Sequence, residues 1–129
     1  MKLLRTTQLL VVPAIEPLLP IWCERLGYAV LDEVPLRPGG PLGFTLLAQG
    51  DHHLMLQTEA SLEEDLPAIA ALRPTSLLYN RVASLDDAMA AMAPATPLVG
   101  PRTTFYGARE AFFVLPAGHV VGFAEHTPG

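Results

Sequence analysis

Glu125 ends an apolar run in which Val121 and Phe123 precede it at two-residue steps, so in a strand all three share one face. A carboxylate on such a face must find a partner or meet a wet cleft, because an unpaired buried carboxylate is costly. Gln57 ends a similar run and shares its face with Met55 and His53, where its amide suits a hydrogen bond to a ligand. Tyr106 and Arg109 flank Gly107 and offer a ring and a forked donor to a planar or anionic group. The candidate ligand contacts are therefore Met55, Gln57, Tyr106, Arg109, Phe123 and Glu125. Plainer roles compete: a solvated strand end for Glu125, an edge-of-sheet amide for Gln57, and a surface ion pair with Glu110 for Arg109.

Other chemistry has little support. His52 and His53 sit at a hairpin turn, His119 follows a turn glycine, and His126 falls outside the Val121, Phe123, Glu125 alternation, so surface histidines are expected. No histidine pair has the spacing a strand or helix uses for zinc, and no metal or cofactor is expected. Cys23 lies beside Glu24 with no activating cation and reads as an inert thiol. Pro38-Gly-Gly-Pro41 lacks the following helix and lysine that a phosphate cradle needs.

The elements that would carry these residues follow from periodicity. Thr7–Val12 reads as a strand closed by Pro13, and Ile15–Leu26 as a helix with Pro17 and Pro20 in its opening turn, stopped by Gly27. Trp22 lies on the apolar stripe of that helix and reads as core or dimer contact. Tyr28–Val34 is a strand, and Leu42–Ala48 with His53–Thr58 form a hairpin. Ser61–Leu72 predicts a helical connector capped by Ser61, with Glu63, Glu64 and Asp65 in its first turn. Ser76–Val82, a helix over Ser84–Met92, Leu98–Val99, Ala111–Leu115 and His119–Glu125 repeat the order βαβββ. Val12-Pro-Ala-Ile-Glu aligns with Val82-Ala-Ser-Leu-Asp at an offset of 70, which points to an internal duplication.

A chain of 129 residues carries one domain, read as a module over 1–60, a connector over 61–74 and a second module over 75–129. Half its residues are hydrophobic and 16% are charged, so apolar surface is left for a dimer interface or a lined cleft. A net charge of −5 with eight scattered Lys and Arg argues against nucleic acid and toward small molecules, aromatic or cationic ones included. No stretch is long enough for a membrane helix, and one cysteine requires no oxidising compartment, so the cytoplasm is expected.

Thr104-Phe-Tyr-Gly-Ala-Arg-Glu through Pro116-Ala-Gly-His to Glu125-His126 resembles the end of the vicinal oxygen chelate superfamily, the glyoxalase, bleomycin-resistance and extradiol dioxygenase group. That family usually writes a Phe-Tyr-Gly-x-Arg-Glu opening, a Pro-Asp-Gly turn and a strand ending in Glu; here the turn lacks its Asp. The resemblance implies an α+β fold of two βαβββ modules forming a curled mixed sheet around a cleft, commonly completed by a homodimer. It also implies four metal-lining positions, which fall on Thr7, Gln57, Leu77 and Glu125. Leu77 cannot ligate, Thr7 is a poor ligand, and a catalytic divalent ion generally needs at least three protein ligands. The expectation is thus a metal-independent small-molecule binder akin to the bleomycin-resistance branch, with antibiotic resistance as a role. A metal-dependent lyase, isomerase or dioxygenase of the same superfamily is the alternative.

Overall fold

The computed structural model describes residues 1–127 as an α+β chain of eight strands and short helices. The strands are β1 (Leu3–Val12), β2 (Ala29–Pro35), β3 (Leu42–Gln49), β4 (His52–Thr58), β5 (Ser76–Val82), β6 (Val99–Thr103), β7 (Ala108–Val114) and β8 (Val120–His126). The α-helices are α1 (Glu59–Asp65), α2 (Pro67–Ala70) and α3 (Leu85–Met92). The chain forms two compact units, Gln8–Ser76 (the first unit) and Met1–Thr7 with Leu77–Gly129 (the second), so β1 is split between them.

In the first unit the strand order is β2-β3-β4-β1, with β1 parallel to β4 in the register Leu9↔Met55 and Val11↔Gln57. Leu54 and Leu56 alternate onto the face that packs on Ile15 and Leu47, and Trp22 joins that core. The segment expected as one helix over 15–26 is instead a 3-10 turn at Glu16–Leu18 followed by a π-helical turn at Pro20–Arg25. Pro17 and Pro20 lack N–H donors, so the regular α ladder cannot run through them, and Leu26 N–H bonds back five residues to Ile21. Gly27, at φ +81°, ends the segment.

The connector also departs from expectation. Its cap is Thr58, whose hydroxyl accepts the Ser61 N–H at 3.1 Å, so Ser61 lies inside α1 and Glu59 occupies the first turn. Leu66, non-helical at φ −136° and ψ 66° before Pro67, breaks the helix into α1 and α2. Among the described residues no helix is long and apolar enough to cross a membrane.

In the second unit the order runs from the start of β1 through β5-β8-β7-β6, with β5 parallel to β8 and the outer pairs antiparallel. Strands β6 and β7 start later and earlier, respectively, than periodicity suggests: Val99 and Ala108. Ser84 caps α3 as expected, accepting from the Asp87 N–H at 3.1 Å, with Asp86 and Asp87 in the first turn. Val82, Leu85, Ala88, Ala111, Phe113, Val121 and Phe123 form the core between α3 and the sheet.

Candidate functional site

The pleat assigns the candidate residues of the second unit to two different faces. Ala111, Phe113, Val121 and Phe123 point to α3, so their neighbours in register, Glu110, Phe112, Gly122 and Ala124, occupy the face without a helix. Tyr79, opposite Gly122, and Arg81, opposite Ala124, join that open face from β5, and Arg102, opposite Glu110, joins it from β6.

Glu110 is the centre of the open face. It is fully buried, with Arg102 Nε and Nη2 donating to one carboxylate oxygen at 3.0 and 2.6 Å. The Tyr79 and Tyr106 hydroxyls donate to the other oxygen at 2.6 and 3.0 Å. Four donors on one carboxylate offset the cost of burying it, and two come from a planar fork that fixes geometry as well as charge. Glycine at 122 and alanine at 124 leave the middle strand low enough for Tyr79 to reach from β5 to β7. A Cβ built at Gly122 would lie 2.6 Å from the Phe112 ring, which fills that place, and the Tyr79 and Phe112 rings stand 6.2 Å apart.

This setting holds Tyr79 well above the ordinary phenol range, first through burial and then through the adjacent Glu110 charge and Tyr106 hydroxyl. The Tyr106 ring is half-exposed and stands 5.1 Å from Phe105 and 6.3 Å from the His126 ring. His126 is pushed below its ordinary value by burial and by Arg81, with Glu110 opposing.

Arg109, Phe123 and Glu125 lie on the α3 side. Phe123 is core; Arg109 reaches Asp86 at 3.6 Å; and Glu125 accepts the Leu85 N–H at 2.8 Å, serving the first turn of α3. Tyr106 and Arg109 are therefore not brought together. In the first unit Met55 and Gln57 share the face opposite Leu54 and Leu56, and the Gln57 amide donates to the Ser61 hydroxyl at 3.1 Å. Of the histidines expected at the surface, His52 and His119 are exposed, whereas His53 and His126 are half-buried.

The metal-lining positions do not fit a catalytic ion. Thr7 and Leu77 are buried and offer no strong donor, Gln57 is bonded to Ser61, and Glu125 is bonded to α3. Among the described residues no group of three His, Cys, Asp or Glu side chains is placed to hold a metal. Sequence reasoning missed Glu110, Tyr79 and Arg102. The alternation Ala108, Glu110, Phe112 in a strand flanked by apolar residues was the available signal for Glu110; nothing local marked Tyr79 or Arg102 as its partners.

No family model matches the sequence, and no curated protein matches it. Solved structures do. A glyoxalase/bleomycin resistance protein/dioxygenase superfamily member from Vibrio splendidus matches with a TM-score of 0.69 at 16% identity, over 95% of this chain and 98% of that one. Methylmalonyl-CoA epimerase from Mycobacterium tuberculosis matches with a TM-score of 0.68 at 17% identity, over 98% and 89% of the two chains. A protein named as an NAD-dependent benzaldehyde dehydrogenase from Legionella pneumophila matches with a TM-score of 0.69 at 13% identity, over 95% and 100%. Names so different on one architecture carry the fold and not the chemistry. The chain has the fold of the glyoxalase, bleomycin-resistance and dioxygenase superfamily.

Proposed function

We propose that this chain is a small-molecule binding protein whose ligand contacts involve no metal ion, and that the open face of the second unit is its binding surface. The observation that supports this most is the Glu110 network. Four hydrogen bonds occupy both carboxylate oxygens, so Glu110 is built to hold Tyr106, Tyr79 and Arg102 in place rather than to take a proton from a substrate. Preorganised rings and donors of this kind lower the ordering cost of binding.

Thermal denaturation against a panel of aromatic metabolites and antibiotics, with and without chelator, tests the proposal. A ligand at one hundred times its dissociation constant adds about 2.7 kcal/mol to stability, and that gain is expected to persist in chelator. Metal retained stoichiometrically through purification, together with turnover or binding abolished by chelator and restored by the ion, overturns it in favour of a metal-dependent lyase, isomerase or dioxygenase.

A further inference from the structure

The chain's charge of −5 is divided unevenly. The first unit holds nine Asp and Glu against three Arg, a net −6, whereas the second holds five Lys and Arg against four Asp and Glu, a net +1. Within the second unit the acids are segregated as well. Asp86 and Asp87 open α3 and Glu125 binds the Leu85 N–H, so three of the four carboxylates serve the helical side. The fourth, Glu110, lies on the open face with its charge matched by Arg102.

Arg81 adds a further cation to that face. It is exposed, it stands in one row with Ala124, Glu110 and Arg102, and it makes no salt bridge among the described residues. Two strand spacings, about 10 Å, separate its backbone from that of Glu110. Arg5 alternates onto the same face, because its neighbour Thr6 bonds Asn80, which points the other way from Tyr79 and Arg81. An acidic protein thus presents, in Arg81, a guanidinium without a salt bridge among the described residues, on the face that also carries the half-exposed Tyr106 ring.

We propose that the open face of the second unit binds a small organic anion, a carboxylate on a flat apolar body, with Arg81 receiving the carboxylate and Tyr106 and His126 flanking the body. This rests on the ligand-binding reading above and names the ligand's charge class. Global charge favours a cation, but a bound ligand senses local charge, since water and salt screen more distant groups within about 10 Å.

Calorimetric titration with three probes of one shape tests it: 2-naphthoate, 2-naphthylmethanol and 2-naphthylmethylammonium. Naphthoate is expected to bind at least tenfold more tightly than the alcohol, and the ammonium more weakly than both. Arg81→Gln is expected to weaken naphthoate about tenfold, the loss of one charge-assisted hydrogen bond, and to leave the alcohol unchanged. Arg73→Gln, on the exposed surface of the first unit, serves as the control and is expected to change nothing. Preference for the ammonium, or naphthoate affinity indifferent to Arg81→Gln, overturns the inference while leaving a ligand-binding face. Failure of all three probes to bind overturns both readings together.

Discussion

The two units share an order of elements and differ in where they keep their charge. All nine carboxylates of the first unit are exposed, and an ion pair there, Arg37 with Glu64, lies in solvent. The second unit buries one carboxylate completely and surrounds it with Arg102, Tyr79 and Tyr106. An exposed pair contributes little, because water screens it and two long side chains lose freedom to form it. A buried and satisfied anion commits its partners to one arrangement, and removing it leaves them stranded. One order of elements thus serves two scaffolds, and the polar content of one face sets the second apart.

The largest test of this contrast is deletion of the buried charge. Glu110→Ala is expected to destabilise the protein by about 3 kcal/mol, because Arg102 and two hydroxyls lose their acceptor in a mostly buried setting. Glu64→Gln in the first unit is expected to leave the urea midpoint unchanged. Equal midpoints for the two variants would remove the distinction between the units. Gly122→Ala comes next, at about 1–3 kcal/mol for overpacking, since its new methyl would lie 2.6 Å from the Phe112 ring. Gly43→Ala in the first unit meets Ser61 Cβ at 3.2 Å, a milder approach, and is expected to cost less in the same denaturation series.

The hairpin turns give a smaller effect, of opposite sign in the two units. Ala117 sits at φ +68°, a left-handed conformation that disfavours any Cβ, whereas the corresponding first-unit turn places Gly50 at φ +56°. Ala117→Gly is expected to stabilise by about 1 kcal/mol and Gly50→Ala to destabilise by a similar amount. The same melting experiment reads both.

Periodicity made much of this fold legible, and the failures have local causes. Ser84, with Asp86 and Asp87 behind it, marked the start of α3, and the alternation around Phe123 correctly placed Val121, Phe123 and Glu125 on one face. Alternation says that residues share a face but not whether a helix covers it. Glu125 therefore read as a ligand contact, while its carboxylate caps α3. Glu110 read as a partner for Arg109, although adjacent strand residues point to opposite sides; its partners come from β5, β6 and the turn before β7, a convergence that only the register creates. Over 15–26 the apolar spacing marked Ile15, Leu18, Leu19 and Trp22 as the packed side, though Leu26 is exposed, and proline's missing donors set the kind of helix.

The smallest expected effect concerns pH. His126 is held below the ordinary histidine value by burial first and Arg81 second. The folded state therefore binds its proton more weakly than the unfolded chain does, so stability is fully present above the unfolded value near 6.5 and declines as pH falls below it. Denaturation midpoints measured between about pH 7.5 and 5.5 should show this decline in the wild type and a shallower one in His126→Gln. Arg81→Gln should also flatten the slope, because removing the neighbouring guanidinium eases protonation while leaving burial in place. An unchanged slope in Arg81→Gln would place Arg81 too far from His126 to share a ligand with it, and so would count against the open face as one binding surface.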